Sequence, residues 1–371
     1  MRILIVGGGV LGTMHAWAAV ERGHEVVQLE REAEARGASV RNFGLVWVGG
    51  RAAGAELATA VRARRLWERI GERVPDLGFR DNGSLTVVRT EAELAVAREV
   101  AANPDAARGF KLLDAGETRA LNPALRGGFL GALWCDRDAA VEPRTAQPAL
   151  RAALTASGRY TWRPGREVRT LTSTGVVDDH GERHEGDVVL FCTGAWLGGL
   201  VREVAGELPV RRVRLQMAQT EPLGEPLTTS VADADSFRYY PAYRGPALDG
   251  LNTGQPQGEI PAGHAMQLLM VQRLDGSLTI GDTHEYAQPF GFDVDEDPYR
   301  HLAEVAGALL GRPLPRIRRR WAGVYAQATD AGAIVHRERL ADNAFLITGP
   351  GGRGMTCSPA IAEDTAVELG L

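Results

Sequence analysis

The sequence predicts an α/β fold: a Rossmann-like βαβ unit at the N-terminus, joined to an α+β portion built on an antiparallel sheet. Three observations predict it. The chain opens on a short apolar strand that runs into GxGxxG and then a helix. A strand, a Gly-rich loop and a helix close the chain at 344–369. Between them, over 208–280, alternating segments are split by Pro and Gly, the pattern of antiparallel strands.

In order, 3–6 is continuous, branched and apolar, as a strand covered on both faces requires. Gly7 permits the tight turn, Gly9 lets the backbone approach a pyrophosphate, and Gly12 lets the helix lie on the strand. The helix spans 13–22 and Gly23 ends it; amides at its start, at Val10 and Leu11, face the phosphates. Glu30 closes the second strand about 20 residues past the glycines, where a carboxylate accepts hydrogen bonds from ribose hydroxyls. An amphipathic helix follows over 52–74, a strand over 84–89 and helices over 91–102 and 148–156. A buried strand at 187–192 ends in a Gly turn, and 297–310 is helical. The last stretch reads strand 344–348, Gly-rich loop 349–354 and helix 359–369.

The bulk numbers narrow the function. A length of 371 residues fits two domains, or one with a large insertion. A net charge of −5 is not the footprint of a general nucleic-acid binder. Cys135, Cys192 and Cys357 are far apart in the chain, so neither a disulfide framework nor a metal site is expected. No apolar run approaches the ~18 residues of a membrane span, and Gly7 cuts the first one short. The expected location is cytoplasmic, with no membrane partner.

Seven segments carry a family resemblance: VGGGVLGT at the start, LERE at 29–32, ASVRNFG at 38–44, VEP at 141–143, DVVLFCTGAW at 187–196, RRWAGVYAQATD at 319–330 and GPGGRGMTCSP at 349–359. The sequence resembles the D-amino-acid oxidase superfamily, in the branch of glycine oxidase and sarcosine oxidase. That resemblance implies a discontinuous FAD-binding domain of the glutathione-reductase type from 1–80, 141–205 and 319–371. It implies a substrate domain from 81–140 and 206–318. It places Arg31 beside Glu30, Ser39 and Asn42 along the flavin and pyrophosphate, and Val168 by the adenine. It also places Gly194 and Trp196 at the second Gly turn, and Gly352, Arg353, Gly354 and Met355 at the flavin ring. There is a single GxGxxG, hence no second module for NADPH.

The chemistry implied is hydride transfer from the carbon beside a neutral amine to the flavin, giving an imine that water converts to a carbonyl. Oxygen would take the electrons, with hydrogen peroxide as product. The sequence departs from the family twice. In sarcosine oxidase-like members a Cys bonds the flavin near Gly323; none is here, so noncovalent FAD is expected. In glycine oxidase-like members an Arg clamps the substrate carboxylate where Tyr325 stands. The anion site is then expected at Arg353 first, with Arg41, Arg238 and Arg244 behind it.

Tyr239, Tyr240 and Tyr243 resemble a ligand-contacting strand, with core packing the alternative for each. His284 is either a pocket group or, more simply, a surface histidine. Residues 316–320 read as a solvated strand face. RNFGLVW at 41–47 and the missing clamp resemble a bacterial subgroup that acts on aminophosphonates. Competing readings are a dehydrogenase serving a quinone or carrier, the flavin domain of an RNA-modifying enzyme, and a flavin sensor. The oligomeric state is left open.

Overall fold

The computed structural model describes residues 1–102 and 106–371. Its six-stranded sheet runs His336–Ala341, Ala344–Thr348, Val188–Phe191, Arg2–Val6, Glu25–Glu30 and Tyr160–Pro164, in that spatial order. All neighbours are parallel except the first pair. Central strands of such a sheet are covered on both faces, which is why Ile3, Leu4, Ile5, Leu190 and Leu346 are all buried. Helix Val10–Glu21 starts earlier than the sequence reading, directly at Gly9, and lies against helix Gly354–Glu368.

That last helix also starts earlier than expected, at Gly354 rather than Pro359. Pro359 lacks the N–H that would reach the Met355 carbonyl one turn back. Trp67 Nε1 donates to that carbonyl instead, at 3.0 Å, and also to the Thr356 carbonyl at 3.1 Å. A side chain from helix Ala55–Arg73 thus lets the helix run through its proline.

The second sheet has eight strands in the order Ile317–Ala328, Val210–Pro222, Ser277–Gly281, Leu269–Gln272, Ser230–Asp233, Ser84–Val88, Gly131–Cys135 and Phe110–Asp114. It is antiparallel throughout except where Ser230–Asp233 meets Ser84–Val88. The antiparallel sheet foreseen over 208–280 is extended by 84–88 and 110–135, inside the 81–140 stretch that the resemblance assigns to the substrate domain, and by 317–328. The strand Ile317–Ala328 continues past residue 319, so part of the stretch assigned by sequence to the nucleotide half is an edge of this sheet. Helix Glu296–Leu310 covers one face through Leu302, Val305, Leu309 and Leu310.

Two ties bring the sheets together. Asp138 accepts from the Val48 and Gly49 amides at 2.5 and 2.9 Å and from Ser84 Oγ at 2.6 Å. The Ala328 amide donates to the Gly349 carbonyl at 2.9 Å, which pins the Gly-rich loop to the edge strand. A small antiparallel sheet of Val168–Thr172, Gly175–Asp178 and Arg183–Glu185 sits beside them. Its turn is built on Asp178: burial opposes ionisation, but His184, the Glu182 and His180 amides and Arg166 hold the carboxyl down at about 2.

Trp67→Phe should leave the buried Met355 carbonyl without a donor, at a cost of roughly 1–3 kcal/mol. The urea midpoint should fall with an unchanged m-value; an unmoved midpoint would show that another donor serves that carbonyl.

Candidate functional site

One cavity of about 1030 Å³ is lined from the GxGxxG turn to the eight-stranded sheet. That is at the upper end of the roughly 300–1,000 Å³ usual for ligand pockets. At its nucleotide end Gly7 has φ +117°, and a Cβ there would lie 2.4 Å from the Cys192 carbonyl oxygen. A Cβ on Gly12 would lie 2.2 Å from the Gly7 carbonyl oxygen, so helix and strand touch through bare backbone.

The helix start is arranged for an anion. Its first turn carries no acidic side chain, and the amides of Leu11 and Gly12 meet no acceptor among the described residues. Val10, expected to face the phosphates as well, donates its amide to Ser39 Oγ at 2.8 Å. Glu30 lines the cavity but already accepts from the Gly8 amide at 2.7 Å and the Glu32 amide at 3.0 Å. It has lone pairs left for a ribose. Further along, Val168, Gly194 and Trp196 line the wall, and the Arg31 guanidinium lies 4.1 Å over the Trp196 ring. Trp196 is 52% exposed, so this rim is open to solvent.

In the middle, Asn42 shapes the loop that walls the cavity. Its Nδ2 donates to the Ala38 and Ser39 carbonyls at 2.8 and 2.9 Å, and its Oδ1 accepts from the Gly44 amide at 2.6 Å. Gly352, Arg353, Gly354 and Met355 line the opposite side, at the start of the 15-residue C-terminal helix.

Arg353 is not placed as a free anion anchor. Its Nε, Nη1 and Nη2 donate to the Pro350 carbonyl at 3.1 Å, Glu56 at 3.2 Å and the Ala333 carbonyl at 3.1 Å. Arg51, which the sequence reading did not single out, approaches the same Glu56 at 3.9 Å and donates to the Trp47 carbonyl and Thr356 Oγ1. Two guanidiniums thus share one carboxylate beside the loop, leaving an excess positive charge. Two of its partners, Gly352 and Thr356, are about 300 residues away in sequence, so the local pattern around Arg51 does not place it beside the loop.

The far end of the cavity is aromatic and polar. Tyr325 is buried, and its Oη meets no hydrogen-bond partner among the described residues. Tyr240 lies 5.5 Å from Trp47, and Tyr239 stacks on His284 at 4.3 Å. Burial pushes the hydroxyls of Tyr239, Tyr240 and Tyr325 upward. Tyr243 belongs to the core instead: it is 1% exposed, packs between Phe110 and Phe237, and does not line the cavity.

His284 is not a surface residue. It is 6% exposed, lines the cavity, and burial lowers its pKa to about 4. Its neighbour Asp282, missed in the sequence reading, lines the cavity too, and burial raises its carboxyl well above the usual range. Gln267 Nε2 donates to Asp282 Oδ1 at 2.9 Å.

Among the other cations, Arg238 lies off the cavity, held by Asp235, Asn252 and the Gln255 carbonyl. Arg41 lines it and donates to the Ala322 carbonyl at 2.7 Å. Arg244 lines it, is exposed, and has no hydrogen bond or ion pair among the described residues. The cluster with metal-ligand chemistry, Asp178, Glu182 and His184, lies outside the cavity, and Arg166 sits on both carboxylates at 2.9 and 3.1 Å.

A bare-backbone turn, an anion-ready helix start, a ribose carboxylate and a second polar chamber under a Gly-rich loop together fit a long dinucleotide with a reactive ring at its far end. Comparison with known proteins agrees. An opine oxidase component of Rhizobium meliloti is 28% identical over 182 residues, 46% of this chain and 49% of that protein. The glycine oxidase of Pseudomonas aeruginosa is 32% identical over 235 residues, 58% of this chain and 61% of that protein. The aligned parts thus span about half to three-fifths of these relatives. The crystal structure of glycine oxidase from Geobacillus kaustophilus shares the fold, with a TM-score of 0.77 at 21% identity over 99% of this chain and 94% of that one. The model of the family described as FAD dependent oxidoreductase matches residues 2–367, and the chain belongs to that family, an FAD-dependent oxidoreductase of the DAO type.

Proposed function

We propose that the chain oxidises the C–N bond of a small zwitterionic amine, giving an imine and then a carbonyl, with oxygen taking the electrons to form hydrogen peroxide. One observation carries this reading: the chamber beyond the Gly352–Met355 segment is lined by acid–base and hydroxyl groups whose charged forms burial disfavours. A neutral, dry chamber suits a neutral amine, which is the form that releases hydride. FAD, when bound, supplies the hydride acceptor.

The chain's own residues then hold geometry and charge. The N-terminus of helix Gly354–Glu368, with Arg51 and Arg353 beside it, provides positive potential where negative charge develops. Noncovalent binding follows from the cysteines. Cys135 and Cys357 do not line the cavity, while Cys192 lies under the Gly7 turn at the nucleotide end. Burial also pushes the Cys192 thiol upward, which opposes the thiolate a covalent bond needs.

The substrate suggestion is an amine whose anion sits away from the reacting carbon. Tyr325 offers one neutral hydrogen bond where an Arg fork would offer two charged ones. With Arg353 tied to Glu56 and Arg238 off the cavity, Arg244 and Arg41 are the two of the four arginines expected at the anion site that line the cavity without a carboxylate partner. A phosphonate such as that of 2-aminoethylphosphonate, or of its N-methyl form, would suit them.

Purified protein should be yellow, and acid precipitation should release the flavin to the supernatant; flavin retained by the pellet would refute noncovalent binding. Glu30→Ala should weaken FAD retention, measured by apoprotein titration, and an unchanged affinity would remove the ribose role.

Arg244→Ala should raise KM for an anionic amine about ten- to a hundredfold, the loss of roughly 1.5–3 kcal/mol for a charged hydrogen bond, and leave an uncharged amine unaffected. Equal effects on both would move the anion site to Arg41.

Compared side by side, 2-aminoethylphosphonate and its N-methyl form should exceed glycine, sarcosine and D-alanine in kcat/KM, with oxygen uptake and peroxide formed in equal amounts. A tenfold preference for glycine or D-alanine would show that the Tyr325 argument is wrong.

A further inference from the structure

We propose that Asp282 and His284 are the receptor for the substrate's ammonium group, and that Asp282 Oδ2 takes the ammonium proton so that the nitrogen lone pair is free. This rests on the amine-oxidising reading of the site and names the groups that prepare the amine.

The geometry leaves two acceptors unused. Asp282 Oδ1 is occupied by Gln267 Nε2 at 2.9 Å, and the Asp282 amide donates to the Gln267 carbonyl at 3.0 Å, so the carboxyl is held in one orientation. Among the described residues Oδ2 receives no hydrogen bond, and His284 Nε2 lies 3.9 Å from it. On the imidazole, Nδ1 lies 3.0 Å from the Ala265 carbonyl oxygen. A carbonyl only accepts, so Nδ1 carries the hydrogen and Nε2 presents its lone pair. Tyr239 stacks on the ring at 4.3 Å and fixes its plane. Both residues are more than nine-tenths buried and line the cavity.

Two lone-pair groups that face each other across a gap too long for a hydrogen bond fit a donor placed between them, and an ammonium nitrogen is such a donor. Asp282 is also a buried carboxylate with no Arg or Lys partner among the described residues, a costly arrangement unless it is protonated or meets a cation.

The proton step balances. An N–H bond of the ammonium breaks, an O–H bond forms at Asp282 Oδ2, and the electron pair of the broken bond stays on nitrogen. An ammonium and a carboxylate become an amine and a carboxylic acid. Burial that raises the carboxyl also disfavours the ammonium, so the dry chamber drives the exchange toward the neutral pair. His284, kept neutral by the same burial, accepts a remaining N–H and holds the nitrogen in place.

The other titratable groups around the pair do not compete near neutral pH. Tyr239, Tyr240, Tyr286 and Tyr325 are all pushed upward by burial. Glu285 is paired with Arg214 at 2.9 Å. Arg51 and Arg211 line the same cavity, and His264 meets His284 through its backbone carbonyl at 2.9 Å.

The test uses the holoprotein and tert-butylammonium, which has no hydrogen on the carbon beside nitrogen and cannot be oxidised. Binding is read from the visible flavin spectrum. In the wild type, affinity should tighten with rising pH, by up to roughly tenfold per unit, while Asp282 loses its proton, and then level off. Asp282→Asn should bind at least about tenfold more weakly, with a flat pH profile and an unchanged spectrum before ligand is added. His284→Gln should weaken binding yet keep the profile. Wild type that does not bind the probe, or Asp282→Asn with the wild-type profile, would overturn the proposal.

A second measurement separates this from the wider reading. For any amine that bleaches the wild-type flavin anaerobically, Asp282→Asn should slow bleaching at neutral pH and recover as pH rises and supplies free amine. Bleaching at the wild-type rate at all pH values would sink the receptor and leave the amine-oxidase reading standing. Probe binding without bleaching by any amine would do the reverse.

Discussion

Where the first strand ends, the backbone of Gly7 meets that of Leu29, Cys192 and Gly12 at distances that leave no room for a β-carbon on either glycine. The Gly7 amide donates to the Leu29 carbonyl at 2.8 Å, the Cys192 amide donates to the Val6 carbonyl at 2.8 Å, and the Gly7 carbonyl accepts from Gln28 Nε2 at 2.8 Å. The clearances at Gly7 and Gly12 are too small for any β-carbon. This crossing aims the helix Val10–Glu21, so the direction of its unpaired amides is set by a steric constraint rather than by a ligand. It also fixes the ends of the neighbouring strands that carry Glu30 and Thr193. A substituent at either glycine would reach every later part of the site through that one point.

Charge is then divided along the cavity. Unpaired amides and an arginine-rim pair mark the nucleotide end, and Arg51, Glu56 and Arg353 form a positive trio at the Gly-rich loop. The far chamber holds groups whose charge burial suppresses. The eight-stranded sheet makes this possible because its long paired strands deliver Tyr325 and, just past a strand end, Asp282 and His284 to one place. In water those side chains would titrate independently; in the chamber their environment decides which protonation states are available.

Much of this was legible in the sequence, and the misses have common causes. The turn glycines, Glu30, the Gly-rich loop and the antiparallel region follow from local pattern, because backbone sterics and hydrophobic periodicity act over a few residues. The start of the last helix was misplaced because Pro359 is tolerated only through Trp67, nearly 300 residues away in sequence. Arg353 looked like an anion anchor because Glu56 could not be foreseen beside it. His284 read as a pocket group or a surface histidine and Asp282 was not singled out, because their partners Tyr239 and Gln267 lie on other parts of the chain. Tyr243 differs from Tyr240 only in facing Phe110 and Phe237 rather than the cavity.

The edge strand Ile317–Ala328 has one further consequence. Its second half is covered by the loop at Gly349 and by Arg41, while its first half has no strand paired on its outer side among the described residues. An uncovered edge of this length is a template for pairing with another chain. Arg316, Arg318, Arg319 and Arg320 stand on or beside that half, and Arg144 is crowded there too, its pKa lowered by burial and then by Arg319, Arg318 and Arg41. Glu221, Asp275 and Glu296 pair with Arg316, Arg318 and Arg320, so a second copy approaching edge to edge would have to desolvate both rows of ion pairs. The arginines that read as a solvated strand face in the sequence thus place like charge along the open edge of the largest sheet, an arrangement that opposes edge-to-edge pairing.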